Sequence, residues 1–103
     1  MTAKAIGFLR KNLAVDPQRD AATIRELVDR VGYTLVEMLT PGEEIEPDPA
    51  TWLLTQVHRH RAAAVVIADE RHLTPPMADA ITAVCSVVGP ERIIPGHIRY
   101  PEG

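Results

Sequence analysis

Residues 62–68, Ala-Ala-Ala-Val-Val-Ile-Ala, run for seven positions without a polar side chain. A run so short and so apolar suits a central parallel strand, covered by other elements on both faces of its sheet. Strand-like and helix-like segments alternate around it. Lys4–Leu9 reads as a first strand and Tyr33–Leu39 as a second, rich in Tyr, Val and Leu. A short fourth strand is expected over Arg92-Ile93-Ile94.

Three helices are signalled between the strands, each by a capping residue followed by proline: Asp16-Pro17, Asp48-Pro49 and Thr74-Pro75. In the first, Ile24, Leu27, Val28 and Val31 recur at helical spacing before Gly32 stops the helix. In the second, Leu53, Leu54 and Val57 share a side. In the third, Met77, Ile81, Val84, Cys85 and Val88 are expected to face inward, with Gly89-Pro90 as the stop.

Three β–α units within about 90 residues predict an α/β chain. Its architecture is a three-layer α/β/α domain around a small, mostly parallel, four-stranded sheet with right-handed crossovers. Residues 1–103 make one domain, with 96–103 a tail that docking or a partner would order.

Composition narrows the functional classes. A net charge of −3 and a pI near 5.7 argue against a free-standing nucleic-acid module, although 11 Lys and Arg residues suffice for a local patch. No apolar run approaches the length of a membrane span, and Met1-Thr2-Ala3-Lys4 leads into a strand instead of a signal peptide. Cys85 has no second cysteine to pair with, which fits a cytoplasmic protein. It reads as core, with a reactive thiol as the alternative.

Ligand chemistry in such sheets collects at the carboxyl ends of the strands, here residues 9–16, 40–48 and 69–74. Arg10, Lys11 and Asn12 follow strand one; Asp69, Glu70, Arg71 and His72 follow the central strand. Arg10 and Arg71 are candidate anion-binding residues, since two converging guanidinium groups suit phosphate. Alternatively each pairs on the surface with Asp69, Glu70 or Asp48. Asp69-Glu70 is weak evidence for a cation site, and no metal or cofactor is expected. The chain has neither a Gly-x-Gly-x-x-Gly turn nor a Walker-type loop. His58-Arg59-His60-Arg61 reads as a solvated helix end, with an anionic-partner patch as the other reading. Trp52 stands one place off the leucine seam, so it either flanks the core or joins a contact surface.

Taken together, residues 4–90 resemble the N-terminal catalytic domain of the serine recombinases, the resolvase/invertase family. Where that family has Tyr-x-Arg-Val-Ser ending its first strand, this chain has Phe8-Leu9-Arg10-Lys11-Asn12. The family's Arg-Gln pair matches Arg19-Asp20, and its Glu-Gly-Tyr-like turn matches Val31-Gly32-Tyr33. An Arg-Pro before a Leu-Leu helix becomes Asp48-Pro49 before Leu53-Leu54. Finally, Leu-Asp-Arg-Leu-x-Arg becomes Asp69-Glu70-Arg71-His72-Leu73-Thr74.

The resemblance implies a resolvase-like fold and a vestigial site. Family members attack a DNA phosphodiester with a serine hydroxyl, helped by several arginines that balance the developing charge. Here the nucleophile position is Asn12, the helix glutamine is Asp20, the loop arginine is Asp48 and the second arginine of the last motif is Thr74. Only Arg10 and Arg71 persist. An amide cannot replace the attacking hydroxyl, and Asp48 would set negative charge near a phosphodiester.

The leading expectation is a non-catalytic, cytoplasmic domain acting through protein contact, as a homodimer or with a regulatory partner. Trp52, Ile98 and Tyr100 are the candidate interface residues. One alternative is a protein or enzyme that takes a phosphorylated ligand with Arg10, Asp69, Glu70 and Arg71. Another is a recombination accessory domain that associates weakly with DNA through Arg10, His58–Arg61 and Arg71.

Overall fold

The structure, a computed structural model, describes residues 3–96. The elements run β1 (Lys4–Phe8), α1 (Pro17–Val31), β2 (Thr34–Leu39), α2 (Pro49–His60), β3 (Ala64–Val66), α3 (Pro75–Thr82), β4 (Ser86–Val88) and β5 (Ile93–Ile94). They build a five-stranded sheet in the order β2-β1-β3-β4-β5. The first four strands are parallel and β5 is antiparallel to β4.

The expected cap–proline pairs start all three helices. Asp16 Oδ1 accepts from the Arg19 N–H at 3.2 Å, Asp48 Oδ1 from Thr51 at 3.1 Å, and Thr74 Oγ1 from Met77 at 3.4 Å. Each bond satisfies a backbone donor that the first helical turn leaves without a partner. α1 stops at Gly32, whose φ of 79° is the left-handed conformation that costs glycine nothing.

Alternation along the strands divides the core into two layers. Ala5, Leu9, Ala64, Val66 and Val88 pack beneath Ile24, Leu27 and Val28 of α1. Ile6, Phe8, Val65, Ile67 and Val87 point the other way, toward Leu53 and Val57 of α2 and Met77 and Ile81 of α3. The period of two in β3 thus feeds both layers, which is why its sequence contains no polar position. Gly7 lets α1 and β2 close over β1: a Cβ there would stand 2.7 Å from Met38 Sδ and 2.9 Å from Ile24 Cγ2.

The third β–α unit differs from the sequence-based expectation. α3 ends at Thr82, and Ser86–Val88 forms a fourth parallel strand beside β3. The sheet therefore has five strands instead of four. Met77, Ile81 and Cys85 do face the core, but Val88 lies in the opposite layer, under α1. A helical period carried through to Val88 could not reveal this. The β-branched Val87-Val88 pair satisfies the free edge of β3 by pairing Val65 with Val87 and Val66 with Val88.

Among the described residues, no helix is long and apolar enough to cross a membrane. Cys85 is buried at 2% exposure, and burial pushes its thiol up to about 11, so it is core. Ile98, Tyr100 and nearly all of the expected 96–103 tail lie outside the described residues. Gly96, the last described residue, donates to Ser86 Oγ at 3.2 Å.

Candidate functional site

The strand order reverses at β1, with β2 on one side and β3 on the other. In open α/β sheets the crevice for ligands opens outside the carboxyl ends at such a point. Arg10 leaves β1 there, and the turn Glu70–His72 follows β3 there.

Arg10 is only 3% exposed. Its backbone N–H donates to Nδ1 of His72 at 2.9 Å. A ring nitrogen that accepts carries no proton, so neutral His72 keeps its proton on Nε2. That atom faces Asp20 Oδ2 at 3.7 Å, beyond hydrogen-bonding distance. Burial holds His72 below the usual histidine range, against the opposing pull of Asp20 and Asp69.

The Arg10 guanidinium lies beneath the connection between β2 and α2. Nη2 donates to Glu46 Oε1, and Nη1 lies 4.0 Å from Met77 Sδ, a weak acceptor. Nε is buried and has no partner among the described residues. Asn12 Nδ2 donates to the same Glu46 oxygen at 3.0 Å. Arg10 and Asn12 are thus brought together by one carboxylate.

Local structure explains how Glu46 is presented. Ile45, at 4% exposure, plants the connection in the core beside Phe8 and Leu53. The Lys11 N–H donates to the Pro41 carbonyl at 2.9 Å and that of Glu46 to the Glu43 carbonyl at 3.0 Å. The Gly42 N–H is shared by both Glu44 oxygens at 3.0 Å, which holds the Glu44 carboxyl below its ordinary range. The segment is tied at both ends, with Glu46 as its exposed arm.

The other candidate residues go elsewhere. Arg71 is exposed and pairs with Asp69 at 3.2 Å, the surface pairing given above as the alternative to phosphate binding. Asp69 is held below its ordinary range, chiefly by the Arg71 N–H. Glu70 pairs with Arg92 at 2.8 Å. Asp48 and Thr74 cap α2 and α3, while Asp20 faces His72. Trp52 is half-buried, its ring 6.3 Å from that of Phe8, and so flanks the core. His58–Arg61 ends α2, with Arg61 as its left-handed cap. α2 leads into the amino-terminal end of β3, so this run lies at the edge of the sheet opposite Arg10 and Arg71.

A hollow of about 280 Å³ lies between α3 and the β4–β5 hairpin. Leu73, Ala78, Val87 and Ile94 are among its apolar lining, and Glu70 and Arg92 stand at its rim. Neither Arg10, Asp69 nor Arg71 lines it, so this apolar hollow and the polar crevice are separate places. No group of three or more His, Cys, Asp or Glu side chains among the described residues is placed to hold a metal ion.

Sequence reading missed Glu46 and left His72 unassigned. The signal for Glu46 was Ile45, the lone apolar side chain in an otherwise acidic connection, which implied an anchored loop. Comparison with protein-family models, curated proteins and solved structures yields no match.

Proposed function

We propose that this chain is a non-catalytic domain of the serine-recombinase type that works through protein contact in the cytoplasm, with a partner protein or a second copy of itself. The observation that carries the reading is the shared carboxylate. Glu46 Oε1 accepts from both Arg10 and Asn12. The position matching the family's nucleophile is therefore a neutral amide, already engaged, and the matching cation is already balanced by an internal anion. A phosphodiester arriving there would meet negative charge where phosphoryl transfer needs positive charge. Arg71, the other retained arginine, is paired with Asp69 and makes no bond to this group.

The same pairing weakens the alternatives. A phosphorylated ligand would have to displace Glu46 from Arg10 and Asp69 from Arg71. DNA association through all three basic elements meets the difficulty that His58–Arg61 and Arg10 lie at opposite ends of the sheet.

The decisive experiment incubates native protein and Asn12→Ser with labelled supercoiled and short duplex DNA, at low and moderate salt. The reading expects no covalent adduct and no salt-sensitive binding from the native chain, and self-association or partner capture by independent assay. A protein–DNA adduct formed by the native chain would overturn it. Cleavage acquired only by Asn12→Ser would support descent from a phosphoryl-transfer site.

A further inference from the structure

We propose that Glu46 is the resident anion of an oxyanion seat built by Arg10 and Asn12, and that residues 40–48 form a strap closing this seat against external phosphate. The inference rests on the reading above only for the location of the site. Its own grounds are three observations about donors and their occupant.

First, the Arg10 guanidinium is enclosed, at 4% side-chain exposure, yet incompletely satisfied. A guanidinium carries five N–H donors in a planar fork. Nη2 meets Glu46, Nη1 meets only a thioether, and Nε has no partner among the described residues. A buried charged donor without an acceptor is costly, so the Arg10 fork favours an anion that offers more than one oxygen.

Second, Asn12 aims its amide N–H at the same point from the exposed rim. Two donors from one turn after β1 converge on a single oxygen, as they would on an oxygen of phosphate or sulfate. Third, the occupant is tethered. Ile45 is buried immediately before Glu46, and backbone bonds hold the segment on either side. A tethered carboxylate acts at an effective concentration of millimolar or above, so it outcompetes free anions at ordinary levels.

Glu46 is half exposed, at 47% of its side chain, so it can swing into solvent while Arg10 stays in place. Exchange of one carboxylate for one phosphate keeps the buried cation balanced. The seat accordingly takes small tetrahedral oxyanions once Glu46 is withdrawn or neutralised, and excludes them otherwise.

The test titrates inorganic phosphate into the native chain, Glu46→Gln, Glu46→Ala and the double variant Glu46→Gln/Asn12→Ala. Thermal unfolding and ¹⁵N side-chain resonances are read together. Native protein is expected to show no saturable response at millimolar phosphate. Both Glu46 variants should bind at least about tenfold more tightly than native, one charge-assisted hydrogen-bond set being enough for that factor. The double variant should lose part of the gain. Folded variants that bind phosphate no better than native would overturn the proposal.

One measurement needs no variant. Saturable shifts of the Arg10 Nε–H and Asn12 amide resonances in the native chain at millimolar phosphate would also overturn it. The two readings fail separately. A DNA adduct from native protein refutes the non-catalytic assignment, whereas phosphate binding by native protein refutes the strap and leaves the missing nucleophile as it was.

Discussion

The backbone N–H of Arg10 donates to Nδ1 of His72 across 62 residues of sequence, at 2.9 Å. This bond ties the turn after β1 to the turn after β3 and sets where Arg10, Lys11 and Asn12 emerge from the sheet. His72 is 1% exposed, so no water replaces it as acceptor without rearrangement.

Replacing His72 with alanine should therefore cost about 3 kcal/mol, since it leaves a buried N–H unsatisfied and opens a cavity. His72→Asn, which can still offer an oxygen, should cost less. Urea unfolding at pH 7 measures both. Equal losses for the two variants would show that volume, and not the acceptor, matters there.

His72 also predicts the direction of a pH effect. Its folded pKa is lowered from 6.5 by burial, so near and below that pH the unfolded chain binds more protons than the folded one. The stability contributed by neutral His72 is complete above 6.5 and is lost as pH falls toward the folded pKa. Unfolding free energy should decline over that interval, and the decline should be shallower in His72→Asn.

The Arg10–Glu46 pair should respond asymmetrically. Glu46→Ala leaves an enclosed guanidinium without its carboxylate and should cost about 2 kcal/mol, less than a fully buried pair because Glu46 is half exposed. Arg10→Met removes the buried charge and leaves Glu46 free to reach water, so its cost should be under about 1 kcal/mol. Chemical denaturation of both variants checks this, and a reversed order would contradict the described burial of Arg10.

Gly7→Ala should destabilise by about 1–3 kcal/mol. The new methyl would meet the flexible end of Met38, which can yield, and Ile24, which is fully buried on the inner face of α1 and cannot. Pairing it with Ile24→Ala, which removes the opposing Cγ2, should make the two losses less than additive, as read from thermal unfolding of the single and double variants.

Cys85 should be inert toward thiol reagents in the folded state, its thiol being pushed up to about 11 and its side chain enclosed. Labelling near pH 8 should follow the rate of unfolding. Prompt stoichiometric labelling under native conditions would mean that the α3–β4 segment opens readily.

Local pattern carried much of the fold. Cap and proline act within one turn of each other, so Asp16-Pro17, Asp48-Pro49 and Thr74-Pro75 announced their helices from neighbouring residues alone. The apolar run 62–68 announced a doubly covered strand, because each face of the sheet demands alternate side chains. Identity at positions 10 and 12 was equally plain: a cation and an amide lie after β1 whatever the rest of the chain does. Val87 and Val88 were not legible as a strand, since the pattern around them fits a helical period too, and only the open edge of β3 decides between the two. The site itself depended wholly on tertiary structure. Arg10 and Glu46 are 36 residues apart, and the acidic connection offers Glu43, Glu44 and Glu46 as rival partners. Burial of Ile45 is what selects Glu46, because planting that one side chain in the core turns the next residue toward the guanidinium beneath it.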